Sequence, residues 1–429
     1  MTIPILARHG AAILGLIFAC VAIAPLGECR AQVDDGIAVD AGDWPWWRGP
    51  DRNGVAHPEQ SPPTEWSETT NIAWRCPIPG RGDSSPTVVG PRIFLATADE
   101  QQNTQSVLCI DRATGQQLWQ TVVHRGGIMR KNEKSTGASS TVACDGERVY
   151  INFASSDAVY VTALTVEGEL VWQTRLCDYK IWQGYGASPA LYRGLVIAAA
   201  DNHLGGVVAG LDRATGKLEW EHQRPEQPNY TSPIIMHVDG RDQLIMTGCD
   251  TFTSLDPATG KLLWEVAGST TECVTSTVTD GKLVYSSGGY PKNHIAAMAA
   301  DGSGKLAWET NDRAYVPSLL VKEGHLYGVL DAGVAACWHC ETGRSMWKKR
   351  LGGQFSSSPV LVGDVIYATS ESGVTYVYRA TPDRFELLGE NKLGDHTLAT
   401  PTICGGKIYM RVESRTDNDG RQEWLYCIE

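Results

Sequence analysis

The chain has 429 residues, a formal net charge of −12 and only 20% charged residues. Dilute, net-acidic charge offers no concentrated basic surface, which excludes binding to a nucleic-acid backbone. Fourteen tryptophans against six phenylalanines is a skewed aromatic count, as if tryptophan held a fixed place in a recurring unit.

In chain order the first element reads as an export signal. Arg8 and His9 precede the apolar run AAILGLIFACVAIAPLG, and ECRAQV then brings small residues around a cleavage point after Ala31. The run is short for a membrane span, and nothing later approaches the ~20 apolar residues a spanning helix needs. Residues 1–31 are therefore expected to be a signal peptide on a periplasmic or secreted protein. Cys20 sits in a context that loosely resembles a lipoprotein site, so lipid anchoring is the secondary reading, while Cys29 fits such a site poorly.

Residues 32–65 form the next unit, a Trp/Pro-rich arm built around WPWWRGP (Trp44 to Pro50). Pro45, Pro50, Pro58, Pro62 and Pro63 keep it extended rather than helical. Three exposed indoles would present an apolar patch to water. The arm is thus expected to lie back across the molecule, burying Trp46 or Trp47 and pairing Arg48 with a carboxylate or strand-end carbonyls. The alternative has the indoles lining a ligand funnel or docking on a partner.

An internal repeat runs through the rest. IDRATGQQLWQT, LDRATGKLEWEH and LDPATGKLLWEV are close copies, and LTVEGELVWQT, AADGSGKLAWET and HCETGRSMWKK are degenerate ones. A second signature recurs eight times: SSPTV, SSTVA, ASPAL, TSPII, TSTVT, VPSLL, SSPVL and ATPTI. Each unit predicts a small-residue strand, a tight glycine turn, an alternating apolar strand, a third strand ending in Leu-Asp, and a fourth carrying tryptophan. Four antiparallel strands in about 45 residues make one propeller blade. The chain end supplies only three strands of the last blade, and NIAWRCPIP near the start supplies the missing fourth. The expected fold is all-β: one eight-bladed propeller over residues 66–429, closed by pairing of N- and C-terminal strands. Trp74, Trp119, Trp172, Trp220, Trp264, Trp308 and Trp347 are expected to be structural, covering grooves between blades with an indole N–H free to reach a neighbouring carbonyl.

Ten cysteines follow the leader, and their even number invites disulfides. Most sit singly in apolar strand-like runs, so buried free thiols are the expectation. Cys337 and Cys340 in ACWHC have no partner pair for a zinc site, and a strand places them on opposite faces.

The LDRATGKLEW and LDPATGKLLW repeats resemble the quinoprotein-type propellers, which include the pyrroloquinoline-quinone dehydrogenases and the BamB-like scaffold propellers. DWPWWRGPDRNGVA with TEWSETTNIAWRCPIPGRGDSSP is similar to the N-terminus of a large group of exported bacterial quinoprotein-like propellers, most without assigned chemistry. The dehydrogenase branch implies pyrroloquinoline quinone with calcium, an adjacent-cysteine disulfide, and an aspartate base. This chain departs from it: there is no Cys-Cys dipeptide, and the nearest calcium-like stretch, RTDNDGRQE with Asp417 and Asp419, lacks later ligands and reads as a hairpin turn. The reading is a binding or scaffold protein, expected to be monomeric, with no cofactor firmly implied and no metal site. The alternative is a quinone-dependent alcohol or sugar dehydrogenase with a reduced site.

A propeller sorts its loops onto two faces, and the connections between blades gather chemistry on one of them. GRGDS brings Arg81 and Asp83; HRGGIMRKNEKSTG brings Arg130, Lys131 and Lys134; YKIWQGYG brings Lys180, Trp182 and Tyr185. Asn202, His203, Tyr230, Glu272, Lys292, His294, Tyr315 and His396 complete the candidate set for a protein partner or a small polar ligand. Each carries a bland alternative. The basic loop can be a solvated face, Trp182 can cover the funnel floor, and the three histidines can be unrelated surface residues rather than a metal site. Acids recurring after second strands (Asp99, Asp201, Asp250, Asp331, Glu371) are expected to cap their own loops. No nucleophile elbow, phosphate-cradling loop or metalloprotease motif appears.

Overall fold

A computed structural model describes residues 1, 2, 4, 37–40, 42–129, 132–416 and 420–429. Two compact units result, Met1–Asp34 and Asp35–Glu429. The first lies almost wholly outside the described residues, and the signal-peptide reading falls there. Asp417 and Asp419 of the calcium-like stretch lie outside them as well. No helix among the described residues is long and apolar enough to cross a membrane.

The second unit is all β. Eight antiparallel four-stranded sheets follow one another along the chain, with the first blade running Thr87–Val89, Arg92–Asp99, Thr104–Asp111 and Gln117–Arg125. The last blade orders Thr402–Cys404, Lys407–Arg415, Arg421–Ile428 and then Ile72–Ile78 from the other end of the sequence. Trp74 pairs with Cys427 in that outer ladder, so both ends of the propeller sequence close one blade. The seventh blade uses Leu387–Lys392 where other blades carry tryptophan, and a short segment, Val55–Ala56, adds to it parallel to Val360–Val362.

The repeat residues act through local chemistry. In the first Asp-x-Ala-Thr-Gly turn, Asp111 accepts from the Thr114 amide and hydroxyl, both at 2.8 Å, and these bonds hold its carboxyl below the usual range. Gly115 then takes φ +71°, where a side chain is strained, and lies directly beneath the Trp74 ring. The same approach brings Gly216 beneath Trp172. Each ring caps its neighbour's turn: Trp74, Trp119 and Trp172 donate their indole N–H to Arg112, Val166 and Arg213 carbonyls at 3.2, 3.0 and 3.1 Å. Trp308 and Trp347 do likewise to Cys340 and Thr381. Trp264 instead bonds Gln243 of its own blade, and among the described residues the Trp220 N–H has no partner.

Nine of the ten cysteines from Cys76 to Cys427 are buried, Cys177 is half-buried, and all ten are unpaired. The apolar blade-to-blade packing around them raises their thiol pKa values by desolvation, as at Cys144 and Cys337.

Candidate functional site

The eight small-residue strands form the innermost layer, and the register of their hydroxyls builds the site. The amide of Ser85 donates to Thr141 Oγ1 (3.1 Å), Thr141 to Ser188 Oγ (2.9 Å), and Ser188 to Ser232 Oγ (2.9 Å). Across the axis, Ser276 donates to Ser318 Oγ (3.0 Å), Ser318 to Ser358 Oγ (3.0 Å), and Ser358 to Thr400 Oγ1 (2.9 Å). Thr400 returns to Ser85 Oγ at 3.1 Å. At Ser276 the indole N–H of Trp47 supplies a donor instead, 2.8 Å from the hydroxyl. Seven hydroxyls thus accept from the preceding blade's amide and the eighth, Ser276, from Trp47, giving a polar collar around the axis. The aligned Ser/Thr in all eight inner-strand copies was its sequence signal, and reading those positions only as small residues missed it.

The WPWWRGP segment lies along this axis. Trp44 bridges Val88 of the first blade, the Pro45 carbonyl accepts from Cys144 of the second, and Trp46 packs among Ala143, Leu191 and Val196. Trp47 packs with Ile234 and Val284 of the fourth and fifth blades. Arg48 is 1% exposed, and its guanidinium donates to carbonyls of Leu319 (2.6 Å), Asn53 (2.8 Å) and Pro359 (3.1 Å). Strand-end carbonyls, rather than a carboxylate, are therefore its partners. Burial pulls its pKa down to about 9. Trp46 is buried and Trp47 lines the cavity above, so the two readings of the indoles divide between neighbouring residues.

Above Trp47 and the collar opens a cavity of about 800 Å³. Trp182, Tyr185, Tyr230, Glu272 and Tyr315 line it, as do Asp83, Lys134, Tyr290, Arg313, Asp331 and Glu371. Glu272 is 7% exposed; its carboxylate accepts from the Tyr315 hydroxyl at 3.2 Å, and its backbone bridges Tyr290. Desolvation raises its pKa, against lowering contributions from Tyr315, His203 and the Trp182 indole. Asp83, held by Ser139 (2.9 Å) and Thr136 (3.0 Å), and Asp331, which accepts the Tyr315 amide at 2.7 Å, are raised by burial too. The Tyr230 hydroxyl is buried facing the Gln183 backbone, without a hydrogen bond of normal geometry among the described residues. Lys134 crosses from the loop after the first blade to Glu371 of the seventh at 2.6 Å.

The remaining candidates stand elsewhere. Arg81 pairs its backbone with Ala98 and approaches Glu413 at 3.8 Å. Lys180 and Lys292 are exposed outside the cavity wall. Asn202 is buried and donates to carbonyls of Asp178, Ala200 and Gly205, fastening its own loop. His203 sets its ring 5.4 Å from Trp182, behind the wall. His294 is buried against Glu309 at 3.1 Å, and burial lowers its pKa. His396 bridges Glu413. Arg130 and Lys131 lie outside the described residues. The histidines occupy separate blades, and among the described residues no three His, Cys, Asp or Glu side chains group to hold a metal ion.

The acids after second strands need correction. Asp99 caps its own loop through Gln101 and Gln102 amides, both at 2.9 Å. Asp201 makes a buried ion pair with Arg224 at 3.2 Å, Asp250 accepts from Thr271, and Asp331 and Glu371 reach neighbouring loops. These loops border the gap between blades, so Asp201 meets a later strand of its own blade, while Asp250, Asp331 and Glu371 meet the connections between blades.

The family model described as outer membrane protein assembly factor BamB matches residues 64–176, 103–349 and 291–384. The chain belongs to this family. Among solved structures, BamB from Moraxella catarrhalis is similar at 15% identity, covering 82% of this chain and 96% of that one with a TM-score of 0.58. A quinohemoprotein alcohol dehydrogenase from Comamonas testosteroni is similar at 14% identity, covering 90% and 80%, with a TM-score of 0.65. The computationally designed protein Ika8 reaches 0.58 at 13% identity, covering 82% and 99%. No curated protein sequence matches the chain. BamB, an alcohol dehydrogenase and a designed protein are about equally similar, so for this BamB-family chain the likeness to solved structures carries the fold, and the cavity must carry the function.

Proposed function

We propose that this BamB-family propeller is an exported binding protein that holds its ligand in the loop-rich funnel without catalysing a reaction on it. The observation that carries the reading is the floor: Trp47 meets the collar at Ser276, so the axis ends in a pocket about 800 Å³ in size. Aromatic walls with a few fixed polar groups suit retention of a ligand.

The residues do not fit pyrroloquinoline quinone with calcium. Calcium would need grouped carboxylates, and among the described residues no three His, Cys, Asp or Glu side chains group to hold a metal ion. Without it the polycarboxylate quinone meets wall acids Asp83, Glu272, Asp331 and Glu371, which outnumber Lys134 and Arg313. Lys134 is already paired with Glu371, and Arg313 lies in the field of Asp331. The alternative dehydrogenase reading also lacks its adjacent cysteines: Cys337 and Cys340 come closest in sequence and are unpaired.

Titration of the purified protein with pyrroloquinoline quinone plus calcium tests the reading, because Trp47 and Trp182 in the wall report occupancy by fluorescence. The expected result is no saturable quenching and no dye reduction with alcohols or sugars. Saturable quenching with dye turnover overturns it.

A further inference from the structure

Glu272 sits in unusual company. Trp182, Tyr230, Tyr290 and Tyr315 all line the cavity with it. Tyr315 contacts its carboxylate and Tyr290 pairs with its backbone, while the Tyr230 amide donates to the next residue's carbonyl, Cys273, at 3.0 Å. Two of the rings stand open at the rim, with Trp182 47% and Tyr290 54% exposed.

The charges around this cage are settled elsewhere. Lys134 is held by Glu371, and the Arg313 guanidinium lies 5.3 Å from the Tyr315 ring beside Asp331. Asp83 faces Arg411 and Arg81. Among the described residues the basic side chain that acts on Glu272 is the His203 imidazole, and no lysine or arginine does. A carboxylate withdrawn from water keeps a large unmet demand for a cation. Aromatic faces beside it add attraction for a cation and little for a neutral group of the same shape.

Resting on the binding reading above, we propose that the funnel takes an organic ammonium group, seated among Trp182, Tyr230, Tyr290 and Tyr315 with its charge against Glu272. The cavity exceeds what a simple ammonium fills, so the natural ligand carries this group as its head on a larger body. Neutral sugars, which aromatic walls also stack, lack the charge that Glu272 calls for.

Choline and 3,3-dimethylbutan-1-ol have nearly the same shape and differ in the charge, so they separate the two demands. Calorimetric titration of the purified chain should give saturable choline binding, with the neutral isostere at least tenfold weaker. Glu272→Gln should weaken choline at least tenfold while its thermal midpoint holds, and Trp182→Ala, at an exposed position, should weaken choline in a chain that folds normally. Equal binding of the isostere, or choline binding unchanged in Glu272→Gln, overturns the ammonium assignment. So does no binding of either compound. Saturable glucose binding without choline binding overturns the ligand class and leaves the binding protein standing. Quinone-dependent dye reduction alone strikes down the binding reading itself.

Discussion

The Trp47 indole N–H lies 2.8 Å from the Ser276 hydroxyl, although 229 residues separate them. This bond fastens the axial segment into the collar of inner-strand hydroxyls and sets the floor of the cavity. Trp47→Phe keeps the ring and loses the donor. Stability should fall by about 1 kcal/mol, the usual net worth of a hydrogen bond, read as a lower urea midpoint with an unchanged slope. Trp47→Ala removes the floor as well and should cost several-fold more affinity for any funnel ligand than the phenylalanine variant does.

Arg48 draws three carbonyls from separate parts of the chain onto one buried guanidinium. Replacing it with methionine leaves those acceptors unmet, at ~1–3 kcal/mol each before relaxation. Removing a charge whose pKa burial already holds down to about 9 offsets part of that loss. The net expectation is a destabilisation of roughly 3 kcal/mol, measured by urea unfolding. Arg48→Lys should recover little, because an ammonium lacks the planar fork that reaches three carbonyls.

Closure of the ring can be probed from the first turn. A Cβ at Gly115 would fall 2.5 Å from the Trp74 ring, in a backbone conformation of φ +71°. Gly115→Ala should therefore displace Trp74 from the strand that closes the last blade and cost about 3 kcal/mol. Gly90 has φ +53°, and a Cβ there would meet nothing within 4 Å, which isolates backbone strain. Gly90→Ala should cost only about 1 kcal/mol. Equal thermal shifts for both variants would argue against the ring contact as the cause.

Glu272 makes stability depend on pH in a defined direction. Burial raises its pKa in the fold, so the folded state favours the protonated acid. Its contribution is full below the unfolded carboxylate value and is lost as pH rises through the folded value. Tyr315, Trp182 and His203 all face it and temper the shift without reversing it. In the absence of ligand, Glu272→Gln should melt at or above the wild-type temperature at pH 7, with the difference shrinking towards pH 4. A bound cation reverses the preference, so choline should protect the wild type more at pH 7 than at pH 4.

The thiols offer an independent check on blade packing. Nine of ten are buried and none is paired, and desolvation raises their pKa values. A thiol-reactive dye should leave the native protein nearly unlabelled, with the half-buried Cys177 the first to react. In denaturant without reductant, all ten should label.

Blade number, strand order and the closing strand were legible in the chain because each blade is written in local terms. Asp111 fixes its turn through Thr114, Gly115 permits the tight reversal, and strand alternation sets which residues face the sheet interior. These contacts span a few residues and repeat, so one copy explains the others. The funnel obeys a different rule. Lys134 meets Glu371 and Trp47 meets Ser276 only after the ring has closed, across separations of 237 and 229 residues. Lys292 and Tyr290 stand two positions apart in the same loop, yet only Tyr290 reaches the cavity. The sequence alone determined a closed eight-bladed ring and the face on which its varied loops gather. Which loop residues converge on Glu272, and that the tryptophan-rich segment becomes the floor beneath them, was decided by the tertiary structure, because ring closure and loop orientation, rather than local spacing, place those side chains together.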